Sequence, residues 1–148
     1  TFVSTTVAAR AVGSSEEVRT FERAYDAAVR CRETVALNDV ADRCKVTHAV
    51  VSEPKSLRSE SRNSSFVDPV DLPDCDVLIS DCEGVESQIL EQMTISPRGV
   101  VIETHGNLGV DVNDIQRWLS DHEYRILNTA VDHRSKNVYV VTASKDQS

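Results

Sequence analysis

Alternation of β-branched runs with helix-periodic segments predicts an α/β fold on a mainly parallel sheet, and three observations carry that expectation. Strand-like and helix-like segments follow one another almost to the end of the chain. Val77 to Asp81 and Gly99 to Glu103 read as buried strands, the second because its apolar residues run continuously, as in strands covered on both faces. Three strands end in acids, Glu22, Asp81 and Glu103, at the sheet edge where open α/β folds bind their ligands. With 148 residues, 40% of them hydrophobic, residues 1–148 fit one globular domain and are short for two.

The first element is a helix, because Phe2, Val3, Val7, Ala8 and Val12 recur at helical spacing and Gly13 follows as a stop. Val18 to Glu22 is a short strand. Ala24 to Leu37 follows it with strong helix formers and an apolar stripe at Ala24, Ala27, Ala28, Cys31 and Val35. The polar turn Asn38 to Arg43 leads into Cys44 to Val51, whose β-branched residues predict a second strand. Residues 52–73 are dense in Ser, Pro, Arg and Asp without periodicity, which predicts an irregular insertion holding one short strand at most.

After the strand Val77 to Asp81, a short helix is expected over Val85 to Met93, then the strand Gly99 to Glu103. Asp111 or Asn113 can cap a helix running through Ile115, Trp118 and Leu119, and Tyr124 to Leu127 with Asn137 to Thr142 supply two last strands. Ala143 to Ser148 reads as a frayed tail.

Charge narrows the partners. The net charge is -8 with the acids spread along the chain, so no basic groove for nucleic acid is expected. Only Lys45, Lys55, Lys136 and Lys145 are lysines, a composition resembling that of proteins from salt-adapted cells. No apolar run is long enough to span a membrane, and Thr1 to Gly13 lacks the pattern of an export signal, so a cytoplasmic location is expected. Cys31, Cys44, Cys75 and Cys82 have no Cys-x-x-Cys spacing and are expected as reduced thiols. With His48, His105, His122 and His133 they do not make the paired spacings of structural zinc, and no metal ligands are assigned.

The strand-end acids are the candidate chemistry. In nucleotide-binding units, an acid about 20 positions beyond a glycine loop accepts both ribose hydroxyls, since one carboxylate satisfies two donors. Glu22 fits that role, or is a solvated acid beside Arg23. Asp81, Glu83 and Glu86 surround a strand-to-helix turn at Gly84, where Glu83 and Glu86 also suit a helix dipole. Glu103 and His105 are two apart, so a continuing strand points them to one side, at the same edge as Asp81. A carboxylate and an imidazole so placed can orient and deprotonate a hydroxyl, hold a divalent cation, or bond loop backbone.

Asp76 to Glu86, DVLISDCEGVE, resembles the signature D-L-I-K-I-D-V-E-G-A-E of FkbM-type methyltransferases, with matches at Asp76, Asp81, Glu83, Gly84 and Glu86. Glu103-Thr104-His105 resembles the E-x-H that ends that family's next strand. Phe21-Glu22, Leu37-Asn38 and His48-Ala49-Val50 resemble, in order, its F-E-P, N-x-L and A-V-S segments. The resemblance covers Val18 to about Val141, and departs from the pattern at Ile79, Ser80 and Arg23.

It implies a Rossmann-like class I methyltransferase sandwich of three layers, with S-adenosyl-L-methionine as methyl donor. The acceptor implied is a hydroxyl of a sugar, glycan or other small molecule. Glu22 would then hold the cofactor ribose and Ala49 would lie near the adenine, while Asp81, Glu83, Glu103 and His105 line the acceptor side. The resemblance also places the family's first β-strand and Gly-x-Gly loop upstream of Thr1. The alternative of a different class is a truncated, non-catalytic fragment or interaction module of the same fold, and a nicotinamide-dependent enzyme is disfavoured by the lack of a glycine fingerprint.

Overall fold

The computed structural model describes residues 2–52, 65–133 and 135–146. Most of the irregular insertion expected over residues 52–73, namely 53–64, lies outside the described residues. The chain divides into two compact units, Thr1–Asp68 and Pro69–Ser148.

The first unit contains helix α1 (Phe2–Ala11), strand β1 (Val18–Glu22), helix α2 (Tyr25–Leu37), strand β2 (Cys44–Val51) and the short strand β3 (Ser65–Val67). Its sheet has the order β1-β2-β3 and is wholly parallel, with Val18 opposite Cys44 and Glu22 opposite His48. As the sequence predicts, α2 buries Ala28, Cys31 and Val35. Helix α1 differs from its apolar pattern. Phe2, Val3 and Val7 are exposed, while Thr5, Thr6 and Ala9 are buried. The reason is steric and polar: small side chains let the helix approach β1, where the Thr5 and Thr20 hydroxyls share a hydrogen bond of 2.9 Å. Ala9, Val35 and Val40 form the apolar centre of this unit, with Val18 and Cys44 packed against it.

The second unit contains β4 (Val77–Ser80), α3 (Glu86–Gln92), β5 (Gly99–His105), α4 (Val112–Asp121), β6 (Arg125–Val131) and β7 (Val138–Ser144). Its sheet has the order β4-β5-β7-β6, in which β4 and β5 are parallel and β7 runs antiparallel between β5 and β6. The core joins Leu90 of α3, Val100 and Ile102 of β5, Ile115 and Leu119 of α4, and Val141 and Ala143 of β7. Asp111 caps α4 by accepting the Asn113 N–H at 2.8 Å, deciding between the two candidate caps.

Four sequence expectations for this sheet change. Strand β6 runs on to Val131 where an end at Leu127 was expected, and Ala143 and Ser144, expected in a frayed tail, belong to β7, with Ala143 buried in the core. Strand β4 is an edge strand of the unit, so Val77 and Ile79 are exposed where a fully buried strand was expected. Strand β5 continues two residues past Glu103, through Thr104 to His105, because β7 pairs with its whole length from Gly99 to His105. All four cysteines are free thiols. Among the described residues, no helix is long and apolar enough to cross a membrane.

Candidate functional site

The turn after β4 is built to hold one carboxylate. Glu83 and Gly84 both take left-handed backbone conformations, with φ of 50° and 105°, which reverses the chain within a few residues. A glycine is required at the second position, since a Cβ there would lie 3.0 Å from Leu108 Cβ in addition to the strained φ. The reversal brings two backbone N–H groups onto Glu86, in the first turn of α3. Cys82 N–H donates to Oε1 and Gly84 N–H to Oε2, each at 3.0 Å. The Glu86 side chain is fully buried, so these bonds replace the water its carboxylate has lost.

The third partner of Glu86 is His105, at the end of β5. Its Nδ1 lies 2.9 Å from Glu86 Oε1. Each Glu86 oxygen already accepts a backbone N–H, so the imidazole acts as donor through Nδ1–H, and in the neutral ring the lone pair resides on Nε2. Nε2 faces Asp81 Oδ1 and Glu103 Oε1, both at 3.8 Å. The His105 side chain is 12% exposed, whereas Asp81 at 42% reaches solvent, so the group opens outward through its carboxylates. Ligand atoms of Asp81, Glu103 and His105 all lie within 4.8 Å of one another.

The alternation expected of Glu103 and His105 therefore holds, and the end of β5 brings them together with Asp81 from the end of β4. Glu83 is exposed, and its left-handed backbone shapes the turn. Glu86, which sequence reasoning placed in this turn but did not assign to the site because a helix dipole explains part of its acidity, is the carboxylate at its centre. The available signal was its place in a carboxylate-rich turn beside a strand ending in Glu-x-His. Cys82 lies in the same turn, where burial pushes its thiol above the ordinary value and the nearby Glu86 charge adds to that effect. Ser80 opposes it by donating a hydrogen bond to the sulfur at 3.6 Å.

In the first unit, Glu22 ends β1 with one oxygen accepting the Ala24 N–H at 3.0 Å. Its register partner His48 is in edge contact with the Tyr25 ring, with centroids 5.5 Å apart, and lies 3.0 Å from the Arg23 carbonyl. Ala49 is buried within β2, opposite Ser65 of β3, so what it offers a ligand is a small side chain and backbone rather than polar contact.

No family model matches this chain, and no curated protein matches it. Solved structures do. A methyltransferase from Geobacter sulfurreducens superposes with a TM-score of 0.54 at 15% identity, over 93% of this chain and 63% of that one. The O-methyltransferase from Bacillus cereus, solved in complex with SAH, superposes with a TM-score of 0.52 at 13% identity, over 93% of this chain and 66% of that one. The chain thus spans less than two thirds of either structure. What the likeness establishes is the fold, a Rossmann-like mixed α/β arrangement of the class I methyltransferase kind.

Proposed function

We propose that the protein is an S-adenosyl-L-methionine-dependent methyltransferase of the FkbM type that transfers a methyl group to a hydroxyl of a sugar, glycan or other small molecule. The observation that carries the reading is the Glu86–His105 hydrogen bond. It joins the two segments that resemble FkbM motifs, D-C-E-G-V-E and E-T-H, into one polar group at the carboxyl ends of β4 and β5. The fold likeness to two methyltransferases supports the same class.

The residues of the first unit suit the cofactor's ribose. Glu22 ends a parallel strand, and only one of its oxygens is used by the neighbouring backbone, so the carboxylate can accept from a vicinal diol. The cofactor, when bound, supplies an activated methyl carbon on a sulfonium. What the protein has to add is alignment of the acceptor oxygen and removal of its proton. With the cofactor bound, its sulfonium would accept the carbon–sulfur electron pair as the acceptor oxygen took the methyl group. Asp81, Glu103 and His105 converge where the acceptor hydroxyl would be oriented and lose its proton, with His105 held in position by Glu86.

The test is made on the full-length protein. Calorimetric titration with S-adenosylhomocysteine should give saturable binding, and transfer of radiolabelled methyl to a panel of hydroxyl acceptors should fall at least about tenfold in both His105→Ala and Asp81→Asn. Absence of S-adenosylhomocysteine binding rejects the class, and unchanged turnover in both variants rejects the assigned residues.

A further inference from the structure

The orientation of His105 sets an electrostatic problem with a specific solution. Nδ1–H is committed to Glu86, so the neutral ring turns its Nε2 lone pair toward the carboxylate oxygens of Asp81 and Glu103. With the ring neutral, three ligand atoms converge there, His105 Nε2 and one oxygen each from Asp81 and Glu103. The 3.8 Å separations are too long for direct hydrogen bonds from the ring and too short for the like partial charges to ignore one another.

The spacing suits a shared ion. Two ligand atoms 3.8 Å apart, each about 2.2 Å from a common centre, subtend an angle of about 120°, close to that of tetrahedral coordination. The surrounding chemistry also fits. A metal-binding imidazole commonly donates its other ring N–H to a carboxylate, which fixes the tautomer and raises the ligand's basicity. Glu86 is such a carboxylate, itself fixed by two backbone N–H groups and lying outside the three converging ligands.

We infer that Asp81, Glu103 and His105 Nε2 bind one divalent cation of the Mn2+ or Zn2+ type, with Glu86 as the positioning residue. One nitrogen and two carboxylate oxygens form a borderline donor set, which suits these ions better than a site of oxygen ligands alone suits them. The three ligands leave coordination positions on the solvent side, where Asp81 is exposed. The inference deepens the proposed function: an acceptor hydroxyl bound there loses its proton more readily, and the proton passes to solvent. Cation binding itself does not require that reaction.

Mn2+ binding followed by electron paramagnetic resonance, with a parallel calorimetric titration of Zn2+, tests the site without methyl donor or acceptor. About one equivalent per chain is expected for at least one of the two ions. Asp81→Asn and Glu103→Gln should each weaken it at least about tenfold, Glu86→Gln about 10–100-fold, and Glu91→Gln, at an exposed position on α3, not at all. Circular dichroism melts confirm that the isosteric variants are folded. No bound ion of either kind, or binding that persists unchanged in Asp81→Asn or Glu103→Gln, overturns the inference. Cation binding without S-adenosylhomocysteine binding would reject the methyltransferase reading and leave the cation site standing.

Discussion

The carboxyl end of β1 and the carboxyl end of β5 each present a polar pair, and the two are built in opposite ways. Glu22 is partly exposed and held by the single N–H of Ala24. Glu86 is fully buried and holds three donors, from Cys82, Gly84 and His105. The first carboxylate can turn toward a ligand at little cost. The second is fixed, and its role is to fix something else. Packing follows the same division. The first unit centres on Ala9, Val35 and Val40, whereas the second surrounds its sheet with Leu90, Ile102, Ile115, Leu119 and Tyr124. A buried carboxylate is maintained where apolar packing excludes water and every oxygen has a partner.

The comparison is broken most severely at Glu86. Glu86→Ala leaves two backbone N–H groups and the His105 ring N–H without their acceptor, and a loss of about 3–5 kcal/mol in urea unfolding is expected. Glu86→Gln keeps the shape but turns a donor toward at least one of those N–H groups, so it should lose less stability while lowering kcat with KM nearly unchanged. Stability of Glu86→Ala within about 0.5 kcal/mol of the parent would show that the carboxylate is not the keystone of this turn.

Next in size is Gly84→Ala. A methyl at φ 105° meets Leu108 Cβ at 3.0 Å, so strain and contact act together, and about 1–3 kcal/mol should be lost. The shifted turn also moves the two N–H groups on Glu86, so the variant should lose turnover as well as stability. A fully active Gly84→Ala would mean that the turn tolerates displacement.

Element positions were legible where local pattern and tertiary need agree. Cys44–Val51 and Val18–Glu22 are strands with the bounds their residues predict. The insertion of β7 between β5 and β6 was not legible, because antiparallel return to an inner position leaves no mark on the strand's own residues. Nor was the inward face of α1, where a hydroxyl pair and an alanine outrank larger apolar side chains for close approach to β1. At the site, period-2 reasoning paired Glu103 with His105, since it depends only on the strand continuing. The role of Glu86 depends on consecutive left-handed residues at Glu83 and Gly84, a conformation that the sequence signals only through one glycine.

A smaller effect is shared by two thiols, one in each unit. Burial raises Cys82 at the fixed site and Cys44 in the first unit above the ordinary value of 9.0. A raised thiol leaves stability intact below that value. As pH rises beyond it, the unfolded chain ionises first and stability falls until the folded thiol also ionises. Cys82→Ser removes one such titration, so its stability should fall less steeply above about pH 9, by at most about 1.4 kcal/mol per pH unit. Cys44→Ser should flatten the slope in the same direction, since burial is the first cause of both shifts. Equal slopes for parent and Cys82→Ser would place the thiol in an environment no drier than the unfolded chain.

The smallest effect on stability is expected at Glu22, and it sharpens the comparison from the other side. The carboxylate is partly exposed and, among the described residues, bonds its own turn, so Glu22→Ala should change unfolding free energy by no more than about 0.5 kcal/mol. If the carboxylate accepts from a ribose diol, its removal costs a charge-assisted hydrogen bond to the ligand, and S-adenosylhomocysteine affinity should fall about tenfold or more. Glu22→Gln retains one acceptor oxygen and should fall between the two. Stability and affinity thus move independently at Glu22, whereas at Glu86 stability and turnover fall together. A Glu22→Ala variant that loses stability without losing affinity would reverse the assignment and make Glu22 a structural acid of the β1 turn.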